Sequence, residues 1–111
     1  MKNFEYSVKV TIRPTQVDDL LADAFYSGIS YWCDELRYDT EPTEDVNYMS
    51  EALTRGAVIG LHDSEEDKWE QITIEKVLQA IADEQVDFED YDSSVADAVI
   101  QRACFGEVIY G

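Results

Sequence analysis

Basic residues are scarce in this chain: 8 Lys and Arg stand against 25 Asp and Glu, a formal charge of −17 over 111 residues. A surface of that sign repels nucleic-acid phosphates and anionic membranes alike, so direct DNA or RNA binding is disfavoured and the expected partners are cationic. No apolar run is long enough to span a membrane, and Met1 to Glu5 leads into strand-like alternation without an apolar signal region. The expected compartment is therefore the cytoplasm. There is one histidine, His62. Ser-His-Asp or Cys-His catalysis would have to use it beside Asp63, and nothing in the spacing brings Cys33 or a serine within its reach, which favours a structural histidine. The two cysteines, Cys33 and Cys104, lie far apart on apolar stretches, match no zinc spacing with His62 and read as reduced core thiols. No phosphate-binding glycine loop is present: Gly56 and Gly60 fall in an apolar run outside any strand-turn-helix context. The acidic segments lack the alternating ligands and central glycine of a calcium loop, and Asp63 to Asp67 is at most a weak divalent-cation site. Catalytic residues, metal ligands and cofactors are accordingly not expected, nor is enzyme activity.

What is present is a core. A hydrophobic content of 45% with 12% aromatics is enough for one folded domain spanning residues 1–111. The densest aromatic stretch, Gly28 to Tyr38, predicts a central strand with Trp32 buried and Gly28 ending the helix before it. Tyr6, Val8, Val10 and Ile12 alternate as a first strand ended by Pro14. Thr15 and Asp18 open a capping-box-like helix that carries Val17, Leu20, Leu21, Ala24 and Phe25 and runs to about Ser27. A second helix holds Val46, Met49, Ala52 and Leu53 and stops at Gly56. Ala57 to His62 and Trp69 to Ile74 form a hairpin around an acidic tip, Asp63 to Lys68. Thr73 caps a third helix with Ile74, Val77, Leu78 and Ile81 inward. Ser93 or Ser94 caps a fourth, whose Val95, Ala96, Val99, Ile100, Ala103 and Cys104 make the stripe. Phe105-Gly106 ends it, and Glu107 to Tyr110 adds a short edge strand. The order β-α-β-α-β-β-α-α predicts an α+β fold, a small mixed or antiparallel sheet packed with three to four helices.

The carboxylates concentrate in predicted connections: Asp39 to Asp45, Asp63 to Asp67 and Asp83 to Asp92. Three acidic loops on one rigid surface would resemble a row of phosphates and attract a protein groove built for nucleic acid. The candidate contact residues are Glu65, Glu66 and Asp67 at the hairpin tip and Asp87, Phe88, Glu89, Asp90, Tyr91 and Asp92 in the later segment, with Phe88 and Tyr91 either anchoring a partner or pinning the loop to the domain. A high-salt host or solubility alone would also give an acidic surface.

The helix followed by Gly-Ile-Ser-Tyr-Trp-Cys-Asp, the His-Asp before its acidic turn, and the terminal Ala-Cys-Phe-Gly-Glu-Val-Ile-Tyr-Gly resemble small acidic proteins of bacteriophages and mobile elements. In size and charge the chain is also similar to phage-encoded anti-CRISPR inhibitors. That resemblance implies an inhibitor in the bacterial host's cytoplasm, binding a basic nucleic-acid-binding protein such as a CRISPR effector and blocking DNA or RNA access. The alternatives are a regulatory or accessory protein-binding module without mimicry, or a carboxylate-rich metal-dependent enzyme.

Overall fold

The structure, a computed structural model, describes residues 12–42 and 45–111. Its first helix, α1 (Pro14–Asp23), opens two residues earlier than the Thr15 box implies: Pro14 needs no amide partner at the first helical position, and the Gln16 side chain accepts the Arg13 amide at 3.0 Å. Val17, Leu20 and Leu21 are buried along one face. The helix continues as a π-helical turn, Ala24–Gly28, closed by the Ile29 amide on the Ala24 carbonyl at 3.1 Å. Gly28 is not a left-handed stop, because its φ is not positive. A β-carbon there would stand 2.9 Å from the Ser93 carbonyl oxygen, so this glycine lets the last helix approach the turn.

The expected strand from Gly28 begins only at Cys33. Residues 29–32 form a turn in which the Ile29 carbonyl takes the Trp32 and Cys33 amides at 3.0 and 2.8 Å. This turn, not strand alternation, separates Tyr31 from Trp32: Tyr31 is half exposed and Trp32 wholly buried, its ring 5.4 Å from Phe105 and 5.7 Å from Tyr110. Then follow β1 (Cys33–Tyr38), α2 (Met49–Thr54), β2 (Ile59–Asp63), β3 (Lys68–Ile72), α3 (Ile74–Glu84) and α4 (Ser93–Phe105). The sheet is antiparallel in the order β1-β2-β3, with Leu36 opposite Leu61, Ile59 opposite Ile72, and Asp63 between Cys33 and Lys68. Ile59, Leu61 and Ile72 join Trp32, Val77, Val99 and Ile100 in one core.

Leu78, expected inward on α3, is 36% exposed, and further differences fall at helix ends and in the tail. Thr73 caps α3 as expected, accepting the Lys76 amide at 3.3 Å. The cap of α4 is Asp92 rather than Ser93 or Ser94, its Oδ1 accepting the Ser94 and Val95 amides at 3.1 and 3.2 Å. Gly106, at φ +79°, ends α4 where the sequence places the stop. Glu107 to Tyr110 is not an edge strand. Its Ile109 and Tyr110 amides both donate to the Gln101 side-chain oxygen at 2.8 Å, so a glutamine replaces a neighbouring strand. The strand expected over Tyr6 to Ile12 lies outside the described residues except for Ile12, which packs half-buried against the core. The class is α+β.

Candidate functional site

The hairpin tip between β2 and β3 is fixed by its own side chains. Asp63, buried in spite of its charge, accepts the Glu65 and Glu66 amides on Oδ1 at 3.0 and 3.3 Å and the Tyr110 hydroxyl on Oδ2 at 2.7 Å. Ser64 donates both its amide and its hydroxyl to the Trp32 carbonyl, at 2.8 and 3.0 Å. Asp67 takes a left-handed backbone, φ 53°, and its Oδ1 lies 2.9 Å from His62 Nε2, while Asp34 Oδ1 lies 2.6 Å from Nδ1. Glu65 and Glu66 are left exposed, their side chains in no hydrogen bond or ion pair among the described residues.

His62 sits between Asp34 and Asp67. A carboxylate at each ring nitrogen favours the imidazolium form, in which both nitrogens donate. The hydrogen bonds to Asp34 and then Asp67 raise its pKa above the ordinary value. Its ring also stands 5.1 Å from Trp69, over which the Arg37 guanidinium sits at 3.8 Å. A folded pKa raised above the unfolded one contributes stability in full below the unfolded value of about 6.5, and that stability is lost as pH rises through the folded value. Wild type is therefore expected to lose urea resistance relative to His62→Gln as pH rises above about 6.5, the unfolded value. Parallel pH profiles of the two midpoints would rule out the charged clamp.

The second acidic segment is also tied down. Asp87 accepts the Glu89 amide at 3.0 Å, and its carbonyl accepts that of Asp90 at 3.2 Å. Phe88 and Tyr91 meet edge to face at 6.2 Å and pack half-buried on the core, and the Tyr91 hydroxyl donates to Asp23 at 3.0 Å. Burial, then that hydrogen bond, push the Tyr91 phenol up to about 12. Phe88 and Tyr91 thus pin the loop to the domain. Asp87 and Asp92 shape the backbone, and Glu89 and Asp90 are the carboxylates it presents.

Asp39, which opens the third acidic segment, lies away from the hairpin tip. Asp39 is bound by Arg37 Nε at 2.7 Å and Gln71 Nε2 at 2.8 Å. It follows the end of β1 that pairs with Ile59, whereas the tip leaves β2 at Asp63, opposite Cys33. Four strand steps of about 3.3 Å put the two roughly 13 Å apart, beyond a physiological screening length of about 8 Å. At the tip Ser64 bonds the Trp32 carbonyl, and just after the 83–92 segment the Ser93 carbonyl closes on Gly28.

Beneath this surface runs a polar network that sequence periodicity misses. Asp97 is buried and accepts from Trp32 Nε1 at 2.7 Å, Gln101 Nε2 at 2.9 Å and the Tyr31 hydroxyl. Asp97 and Gln101, one helical turn apart, are the only trace of it in the sequence. The thiols offer no activated nucleophile: burial foremost pushes Cys33 up to about 11 and raises Cys104 as well. Among the described residues, no three His, Cys, Asp or Glu side chains are grouped to hold a metal ion, and no helix is long and apolar enough to cross a membrane. Compared with known families, curated proteins and solved structures, the chain matches none.

Proposed function

We propose that this chain is a non-enzymatic, phage-type inhibitor that occupies the basic nucleic-acid-binding surface of a host defence protein, most concretely a CRISPR effector, and blocks DNA or RNA from entering. The observation that carries this proposal is the presentation of Glu65, Glu66, Glu89 and Asp90 as exposed carboxylates on two hydrogen-bonded turns. Carboxylates on a fixed backbone meet a groove built for phosphates at less entropic cost than a mobile tail would. The net charge of −17 supplies the long-range attraction.

The test is a pair of charge-removing variants, Glu65→Gln with Glu66→Gln, and Glu89→Gln with Asp90→Asn. These four side chains hold nothing in place, so folding should be unchanged or slightly improved, whereas Asp67 and Asp92 are better left intact. Titrated against purified CRISPR effectors and other basic nucleic-acid-binding proteins, either variant should associate roughly tenfold more slowly at low salt. Raising salt should weaken wild type more than the variants, because screening removes what the substitutions already removed. Unchanged affinity and salt dependence in both variants would overturn mimicry and leave a regulatory protein-binding module as the explanation.

A further inference from the structure

An apolar surface lies next to the acidic 83–92 segment, whose Tyr91 hydroxyl donates to Asp23 at its edge. A groove of about 450 Å³ opens between the C-terminal end of α1, β1 and α2, lined by Phe25, Tyr26, Leu36, Tyr48 and Met49, with Asp23 beside them. The π-helical turn carries Phe25 and Tyr26 to it, and Tyr26 is 92% exposed and Tyr48 67%. Large aromatics left this open mark a contact surface rather than unfinished packing.

The charges around the groove restrict what fits. Asp23 lines the groove, farther along α1 lie Asp19 and Asp18, the latter accepting from the Thr54 hydroxyl, α2 carries Glu51, and neither helix nor the π-helical turn holds a lysine, arginine or histidine. The one cation on β1, Arg37, follows Leu36 in the strand, lies over Trp69 on the other face of the sheet and is bound by Asp39. A second copy of the chain would bring these carboxylates against their own kind, with −17 on each partner. An anionic lipid surface meets the same repulsion.

We infer that this groove seats the apolar side chains of a cationic amphipathic segment of the partner protein, Tyr26 and Tyr48 packing on its apolar face while the carboxylates of α1 and α2 meet its Lys and Arg. This rests on the partner's being basic, as proposed above, and adds a second, apolar contact to the electrostatic one.

Two labelled helical peptides of equal length and lysine content, one with leucine and one with serine on its second face, separate the contributions by fluorescence anisotropy. Wild type should bind the Leu/Lys peptide at least about tenfold more tightly than the Ser/Lys peptide. The double variant Tyr26→Ser, Tyr48→Ser, which removes exposed rings and should melt like wild type, should lose that preference while keeping its affinity for the Ser/Lys peptide. The Glu65, Glu66, Glu89 and Asp90 amide variants should keep the preference. Failure of the mimicry proposal would appear as partner binding indifferent to those amides. The groove assignment fails if wild type binds both peptides equally or the tyrosine variant retains the preference. Sedimentation that shows a dimer abolished by the tyrosine substitutions would also overturn it, in favour of self-association.

Discussion

Replacing Trp32 with alanine is expected to destabilise the protein by about 3–5 kcal/mol, the range for truncating a fully buried aromatic. Two losses combine. The indole fills the space between Phe105 and Tyr110, and with both rings held by backbone on separate segments the cavity has no simple way to collapse. Its Nε1 also donates to Asp97 Oδ1 at 2.7 Å, and a buried carboxylate that loses a donor carries an added cost. Against a typical domain stability of about 5–15 kcal/mol, the variant sits near the edge of folding. Trp32→Phe separates the two losses: it keeps most of the volume and removes the N–H, and should cost less, on the order of 1–3 kcal/mol. Urea unfolding followed by far-ultraviolet circular dichroism measures both. A Trp32→Ala midpoint equal to wild type would show that the ring is not the centre of the core.

The hairpin and the helix limits at Thr73 and Gly106 are legible in the sequence because they rest on local chemistry. Both residues act within one turn of themselves, and the apolar runs of β2 and β3 bracket a polar tip of the right length. Trp32 is legible as buried, since no other stretch has its aromatic density, but the start of its strand is not, because a backbone turn onto Ile29 leaves no residue signature. Asp97 and Gln101 stay invisible for a different reason. Polar residues on an amphipathic helix default to the solvent side, and only partners some 65 to 70 positions away, Trp32 and Tyr31, reveal that this side is covered too. The candidate site divides in the same way. Composition alone marks Glu65, Glu66, Glu89 and Asp90 as exposed, whereas the tasks of Asp87, Tyr91 and Asp92 depend on an amide or hydroxyl brought to them by folding. Gly28 stands out in the sequence as a helix stop, yet what requires a glycine there is the carbonyl of Ser93, far along the chain.

Replacing Gln101 with leucine should release the C-terminal tail and loosen the acidic tip, although the substitution is close in volume and touches neither surface. Gln101 is wholly buried and uses both ends of its amide. Its oxygen accepts from Ile109 and Tyr110, and its nitrogen donates to Asp97 Oδ1 and lies 3.2 Å from both the Tyr110 carbonyl and the Tyr31 hydroxyl. Leucine satisfies none of these. Each buried unpaired group costs about 1–3 kcal/mol, and the tail escapes part of that by swinging into water, so a net loss of about 3 kcal/mol is expected. Its consequence travels along the network, because Tyr110 holds Asp63 Oδ2 while Asp63 Oδ1 holds the Glu65 and Glu66 amides. Hydrogen exchange should therefore accelerate at Ile109 and Tyr110 first and at Glu65 and Glu66 next, with α3 much less affected. Gln101→Glu is the control, since it keeps the acceptor for the two tail amides while setting a carboxylate against Asp97, and should unfold more readily yet leave the tail amides protected until it does. Partner association should weaken in Gln101→Leu with every surface carboxylate still in place. Protected tail amides and an unchanged melting curve in Gln101→Leu would instead mean that Trp32 and the apolar contacts alone hold the tail to the domain.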